Sequence, residues 1–239
     1  MRVFLDFDGT ISQRDVVDLI LETYADPAWL EIEQEWQAGR IGSRECLRAQ
    51  MALVRATVEE MNALLDRIEL DDGFGGLLEI CAHHSLPVHI VSDGFDYCIE
   101  RILRRAGPDV EPLMGGVRVC ASHLEPCGDR EWRAAFPFFP EGCAHGCATC
   151  KPAAMRLLGA HHRGPTVFVG DGLSDRYAVS AADEVFAKDT LARYCREQGL
   201  SCHHYTDLRQ VSRSLEVMFR ERSLLLSPER IARGNAWAQ

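Results

Sequence analysis

Within its first ten residues the chain passes from a short apolar run, Arg2-Val3-Phe4-Leu5, into two carboxylates, Asp6 and Asp8, followed by Gly9 and Thr10. A run this short and this rich in β-formers reads as a buried strand, and it feeds a polar loop at the strand's C-terminal end. The same unit recurs: 86–91 ends at Ser92-Asp93-Gly94 and 165–169 ends at Gly170-Asp171-Gly172, each followed by a helical pattern. Residues 184–187 and 202–206 read as two more strands, with helices over 189–198 and 208–220 after them. Strands alternating with helices predict an α/β fold with a doubly wound parallel sheet covered on both faces.

Between the first two strands, 13–76 offers no strand candidate. Val16, Val17, Leu19, Ile20 and Leu21 open a helical pattern, Pro27 interrupts it, and Trp29, Ile32 and Trp36 resume it until Gly39. Gly42-Ser43 restarts a helix, and Thr57 with Glu60 forms a capping-box pattern ahead of Met61, Leu64, Leu65 and Ile68. The expectation is a core built from 1–12 and 77–239, with an all-helical unit over 13–76 that pivots near 11–13 and 71–76. A second stretch, 108–150, holds Gly115-Gly116, Pro126, Gly128 and Phe136-Pro137-Phe138-Phe139-Pro140, which predicts a hairpin and long loops. The end after Ser227 is expected to lie loosely on the surface.

The length, 239 residues, suffices for one core plus an insertion at roughly 150 residues per domain. Thirty-six acidic against 26 basic side chains give a formal net charge of −10, a field that repels phosphate backbones and anionic lipid. Nucleic acid and membrane are therefore not expected partners. Asp6 and Asp8 cut the apolar start too early for a signal peptide, and no later run approaches the ~18 apolar residues of a membrane span, so a cytoplasmic location is expected. The ten cysteines lack the paired rhythm of a secreted disulfide framework. Cys46, Cys81 and Cys98 fall within helical apolar patterns and are expected to be reduced core thiols.

Asp6 and Asp8 stand at i and i+2 where a strand gives way to a loop, the place where α/β sheets put ligands. One carboxylate can attack while the other handles protons; an Asp-Gly turn with solvated carboxylates is the rival reading. An EF-hand is excluded, since counted from Asp6 its Gly and Glu positions are occupied by Ile11 and Val17. Asp171 and Asp175 end another strand, either as ligands or as a glycine turn with a helix cap. Four acids gathered at strand ends would repel one another and protonate unless a cation such as Mg²⁺ joined them. Ser92, Asp93 and Gly94 offer a hydroxyl and backbone amides to a phosphoryl group, or Ser92 simply caps the next helix. Lys151, before Pro152 at a helix start, is either a cation for an anionic ligand or a surface lysine.

Taken in order, Asp6-x-Asp8-x-Thr10, Ser92, Lys151 and Asp171 with Asp175 resemble the four signatures of the haloacid dehalogenase superfamily of phosphotransferases. A helical unit directly after the first signature is similar to the phosphoserine-phosphatase-like branch. The resemblance implies a Rossmann-like core beneath a helical cap. It implies Asp6 as a nucleophile that forms an aspartyl-phosphate, and Asp8 as the acid that protonates the leaving oxygen and then activates water. Thr10, Ser92, Asp93, Gly94 and Lys151 would surround the phosphoryl group. Mg²⁺ would be held by Asp6, the Asp8 carbonyl and Asp171, with Asp175 in support. An acid at Asp8 also separates phosphatases from ATPase relatives.

Phe136-Pro137 leading to Cys143, Cys147 and Cys150-Lys151-Pro152, then Asp183-Glu184-Val185-Phe186-Ala187-Lys188, look like the methionine-salvage phosphatases that act on 2-hydroxy-3-keto-5-methylthiopentenyl-1-phosphate. The expected substrate is accordingly a small phosphorylated metabolite. Phosphoserine, phosphocholine and phosphoethanolamine remain alternatives, although Ser92-Asp93-Gly94 departs from the Ser-Gly-Gly of phosphoserine phosphatases. A non-catalytic phospho-ligand-binding module is the alternative of another class, and the intact Asp6 and Asp8 pair argues against it. Asp15 matches an acidic substrate contact of phosphoserine phosphatases and equally reads as a first-turn helix acid. Arg40 and Arg44 are candidates for a substrate carboxylate, or solvated arginines. Cys143-x3-Cys147-x2-Cys150 groups three thiols, with His145, Cys120, His123 and Cys127 as further candidates, so it is either a structural zinc site or a loop of reduced thiols. A monomer or a homodimer is expected.

Overall fold

The computed structural model describes residues 1–162 and 164–225. Seven strands among them, β1 (Arg2–Leu5), β2 (Val88–Phe95), β3 (Arg118–Pro126), β4 (Trp132–Ala135), β5 (Thr166–Gly170), β6 (Glu184–Ala187) and β7 (His203–His204), form one sheet in the order β4-β3-β2-β1-β5-β6-β7. Neighbours are parallel except β4, which returns antiparallel to β3. Val3, Leu5, Ile90, Val167, Val169 and Phe186 enter the core on one face, and Phe4, Val91, Phe168, Val185 and Ala187 that on the other. Cover on both faces explains why the central strands read as continuous apolar runs. From β1 the chain winds outward to β2 and β3, then returns to β5 on the opposite side of β1. That reversal opens a crevice at the C-terminal ends of β1 and its neighbours, beside Asp6.

Helices α1 (Val16–Tyr24), α2 (Trp29–Gln37), α3 (Ser43–Met51) and α4 (Val58–Leu65) lie between β1 and α5 (Phe74–His83). Pro27 separates α1 from α2, and Gly42 is the N-cap of α3. The expected capping box opens α4: Thr57 Oγ1 accepts from the Glu60 N–H at 3.2 Å and the Glu60 carboxylate accepts from the Thr57 N–H at 2.8 Å. An antiparallel bridge between Ser12 and Leu70 joins the two crossings of this helical segment. Its far side is tied to α6 (Asp96–Leu103) and to β4. Trp132 Nε1 donates to Ala56 O at 2.9 Å, Tyr97 Oη donates to Asn62 Oδ1 at 2.8 Å, and Arg101 pairs with both oxygens of Asp66 at 2.7 Å.

Residues 108–150 depart from the expectation in one respect. The hairpin is there, but its first strand, β3, also pairs in parallel with β2 as a full member of the sheet. Polar residues interrupt Arg118-Val119-Cys120-Ala121-Ser122-His123, so it lacks the continuous apolar run of a central strand. β2 likewise runs on through Ser92 to Phe95, with a register shift after Val91, where a loop was expected. β7 is shorter than the sequence suggests, two exposed residues. The remaining helices are α7 (Lys151–Gly159), α8 (Asp189–Glu197) and α9 (Leu208–Leu225). All ten cysteines are free thiols, with Cys46, Cys81 and Cys98 buried in helices. No helix of the described residues is long and apolar enough to cross a membrane. The end after Ser227 lies outside the described residues.

Trp132 is 4% exposed and its indole supplies the hydrogen bond to Ala56 O. Trp132→Ala should lower unfolding free energy by about 3–5 kcal/mol. Trp132→Phe, which leaves the carbonyl unpaired, should cost about 1–3 kcal/mol. Urea denaturation of the two variants against the parent chain measures both.

Candidate active site

Asp6 follows β1 directly, its backbone N–H continuing the ladder to Val169 O at 2.9 Å. Its side chain is buried, and Oδ1 lies 2.9 Å from Lys151 Nζ. That approach is an ion pair outside hydrogen-bond geometry, so Oδ1 is buried with a charge beside it and no hydrogen bond. Lys151 Nζ also meets Asp175 Oδ1 at 2.5 Å and Ser174 Oγ at 3.4 Å. The other oxygen of Asp175 accepts from the N–H groups of Asp171 and Gly172, both at 3.0 Å, which folds the loop after β5 around it. Asp175 is therefore not an N-cap, a position that Gly172 takes; it closes the loop from the third position of the turn and binds the lysine besides.

Both oxygens of Asp8 are held: Oδ1 accepts from the Val16 N–H at 3.1 Å and Oδ2 from Ser92 Oγ at 3.2 Å. Ser92 caps no helix, the N-cap of α6 being Phe95; its Oγ instead also accepts from the Gly94 N–H at 3.0 Å. A side chain at Gly94 would put Cβ 2.1 Å from Asp8 Oδ2, so only glycine allows this approach. At Gly9, whose φ is +71°, a Cβ would fall 2.4 Å from Asp171 Oδ2. Asp93 Oδ1 accepts from the Thr149 N–H at 3.0 Å. Thr10 has both donors engaged within the framework, Oγ1 on Asp171 Oδ1 at 2.7 Å and its N–H on Phe7 O at 3.2 Å.

Oxygens of Asp6, Asp171 and Asp175 lie within 4.8 Å of one another, whereas the Asp8 carboxylate is outside this group. Burial, followed by the Asp175 charge, raises Asp6 well above the usual carboxylate range even with Lys151 opposing. Burial and then Asp15 raise Asp8 similarly. Burial, then Asp175, push Asp171 up to about 7. Burial lowers Lys151, but Asp175, Asp6 and Asp93 outweigh it and hold the ammonium charged. Several carboxylates thus surround one ammonium, and the donors are hard oxygens. Such a set fits a small hard divalent cation such as Mg²⁺.

A cavity of about 160 Å³ opens over Asp6, Asp8, Ser92, Asp93, Gly94 and Asp171. Its far wall comes from the helical segment, including Asp15, Val17, Asp18, Glu33, Trp36 and Leu47. Asp15 lines this cavity, and it is also the N-cap of α1, its carboxylate accepting from the Asp18 N–H at 3.0 Å. Arg44 is not part of the wall, its guanidinium lying 3.6 Å over the Phe139 ring, and Arg40 is paired with Glu35 at 2.6 Å. The sulfurs of Cys143, Cys147 and Cys150 lie within 4.8 Å of one another just ahead of Lys151. Sequence reasoning missed Tyr205, a buried phenol 3.4 Å from Thr10 Oγ1, and Ser174 beside Lys151. It also missed Asp18 and Glu33, whose only signal is helical spacing from Asp15 and Trp36.

The haloacid dehalogenase-like hydrolase family matches residues 3–180. A 2-hydroxy-3-keto-5-methylthiopentenyl-1-phosphate phosphatase of Geobacillus kaustophilus strain HTA426 is 30% identical over 201 residues, 83% of this chain and 87% of that protein. The protein of the same name from Bacillus velezensis strain DSM 23117 is 25% identical over 217 residues, 90% of this chain and 89% of its own. Among solved structures, a substrate-bound phosphoserine phosphatase superposes with a TM-score of 0.68 at 20% identity, covering 89% of this chain and 97% of its own. A phospho-aspartyl intermediate analogue of phosphoserine phosphatase gives 0.67 at 19%, with the same coverage. The structural likenesses speak for the fold, and the sequence matches reach the signature residues from Asp6 to Asp175: the chain belongs to the haloacid dehalogenase-like hydrolase family.

Proposed function

We propose that this phosphoric monoester hydrolase works through attack of Asp6 on phosphorus, with Mg²⁺ as cofactor and Asp8 as acid and base. The observation that carries the reading is Asp6 Oδ1, buried at the cavity without a hydrogen bond, beside the Lys151 ammonium and two residues from a second carboxylate. Asp6, Asp171 and the Asp8 main-chain carbonyl would hold Mg²⁺, which when bound offsets the negative charge of nucleophile and phosphoryl group. Lys151 and Ser92 hold phosphoryl oxygens. An Asp6 oxygen bonds to phosphorus as the ester P–O bond breaks, and the leaving oxygen takes the Asp8 proton. Burial and Asp15 raise the proton affinity of Asp8, the direction a general acid requires. Asp8 then takes a proton from water, whose oxygen displaces Asp6 and frees phosphate. Thr10 positions Asp171 through its hydroxyl.

For the substrate, the relatives' names support 2-hydroxy-3-keto-5-methylthiopentenyl-1-phosphate, and Val17, Trp36 and Leu47 suit its apolar thioether end. A second reading has its own observation. Asp15, Asp18 and Glu33 share the same wall and the helical segment contributes no basic residue to it, which favours a phosphorylated amine such as phosphocholine or phosphoethanolamine.

Asp6→Asn should lower kcat by more than about 10⁴-fold while leaving the fold intact, and Asp8→Asn by about 10²–10⁴-fold. Phosphate release from a panel of monoesters, with Mg²⁺ and with chelator, measures both; unchanged turnover in Asp6→Asn would overturn the mechanism. Glu33→Gln should raise KM for phosphocholine about tenfold if the substrate is cationic, and leave KM for the thioether substrate unchanged. The metal-free chain carries a pH signature as well. Burial, then Asp15, push Asp18 up to about 7, alongside Asp171. Folded-state values above unfolded ones stabilise the protein at low pH, and that contribution is lost as pH rises through 7. In chelator, Tm should therefore be higher at pH 6 than at pH 8, with a smaller difference in Asp18→Asn; a scanning fluorimetry series that is flat over this range contradicts it.

A further inference from the structure

Residues 136–150 join β4 to α7 with turns alone, and they deliver Lys151 to the site. A connection this long without regular structure needs something to hold it. Part of the answer is visible. Cys150 N donates to Phe138 O at 3.0 Å, Arg44 N donates to Gly146 O at 3.0 Å, and the Phe136 and Phe139 rings lie under Arg48 and Arg44. These contacts hold the loop at its ends and at Gly146, and on either side of Gly146 the residues Cys143, Cys147 and Cys150 bring their sulfurs together.

The three are free thiols, and their sulfurs all lie within 4.8 Å of one another. A tetrahedral ion with Zn–S near 2.3 Å would set its sulfurs roughly 3.8 Å apart, so the cluster needs only a small contraction. A multi-iron cluster, with each thiolate on a different iron, would spread them farther. The backbone N–H groups of His145 and Cys147 are turned toward the Cys143 sulfur, an arrangement that supports a thiolate acceptor. Cys150 is the N-cap of α7 but makes no side-chain cap hydrogen bond, so its sulfur is not committed to the helix end.

We propose that Cys143, Cys147 and Cys150 bind one zinc ion, with solvent or an added ligand in the fourth position, and that this ion fastens the loop that presents Lys151. Binding replaces the three thiol protons, which pass to solvent, and changes no oxidation state. The other residues considered for a fourth ligand are placed elsewhere. The His145 ring is stacked on Tyr177 at 3.9 Å, His123 pairs with Asp96 at 2.7 Å, Cys120 is buried among Phe168 and its neighbours, and Cys127 is exposed in the β3–β4 turn. The site is chemically separate from the carboxylates beyond Lys151, since soft thiolates select zinc and hard oxygens select Mg²⁺. Structurally the two are linked, because Thr149, between two of the cysteines, donates its N–H to Asp93.

The test is metal content of the full-length chain purified under reducing conditions and offered Zn²⁺ alone. About one zinc per chain is expected, retained in Asp171→Asn and Cys127→Ser and lost in Cys147→Ser. Reconstitution of the unaltered chain with Co²⁺ should give an intense sulfur-to-metal charge-transfer band, a readout that does not depend on a variant folding. Cys143→Ser, at the less buried position, serves where Cys147→Ser fails to fold. Zinc removal with a thiol-reactive mercurial should lower Tm, and Mg²⁺ should not restore it. A reduced chain that takes up no zinc and gives no cobalt–thiolate band overturns the proposal. So does an intact mass lighter by two hydrogens with two of these cysteines joined.

Discussion

Lys151 is a charged group with almost no access to water, 1% exposed, and the site is arranged around keeping it charged. An isolated buried ammonium would shed its proton; here Asp175 at 2.5 Å and Asp6 at 2.9 Å more than offset the loss of hydration. The dependence runs both ways. Removing the lysine would leave two buried carboxylates facing each other with Asp171 close by, and would raise the proton affinity of Asp6 further, against the role proposed for it as a nucleophile. The lysine comes from the start of α7, and Asp6 and Asp175 come from the ends of β1 and β5. One ion-pair cluster therefore fixes a helix and two strands against one another.

Around that cluster the hydrogen bonds form a continuous frame along the C-terminal edge of the sheet. Asp175 holds the backbone of Asp171 and Gly172, Thr10 ties Asp171 to the loop after β1, and Ser92 ties Asp8 to β2. Asp93 reaches across to Thr149. Each link uses one polar atom to position another, so the groups proposed to meet a phosphoryl oxygen are already in place before a substrate arrives. The cost is a crowd of carboxylates with raised proton affinity, which the proposed divalent cation would relieve. Affinity for such a cation and preorganisation of the site would then have the same origin.

Most of this edge was readable because its residues are local in sequence. Asp6 and Asp8 sit where an apolar run ends, Asp171 and Asp175 sit within one turn, and Thr57 and Glu60 satisfy each other across three residues; in each case chemistry and spacing occupy a single short window. What was not readable depends on long-range geometry. Nothing local in Tyr205 says that its phenol will approach Thr10, since the contact spans 195 positions. β3 was hidden because a strand covered on its outer side by β4 alone need not be continuously apolar. Arg44 and Thr10 were expected to face ligand, yet an aromatic ring and a neighbouring carboxylate engage them instead. A side chain's type gives its capacity, and only its neighbours decide where that capacity is used.

The link from the helical segment to the chemistry passes through one backbone amide. Val16, the first residue of α1, donates its N–H to Asp8 Oδ1, and Asp15, the residue before it, is the charge that raises Asp8 most after burial. The two act in opposite directions, since the N–H favours the ionised carboxylate and the neighbouring acid disfavours it. Both are carried on the same turn, so any displacement of α1 changes them together with the burial of the site. With α1 seated, burial and Asp15 outweigh that N–H and raise the proton affinity of Asp8. With α1 withdrawn, water would hydrate the carboxylate and lower that affinity again. The shift that the proposed acid needs is thus present only in the arrangement that also sets the wall of Asp15, Val17 and Trp36 over the cavity.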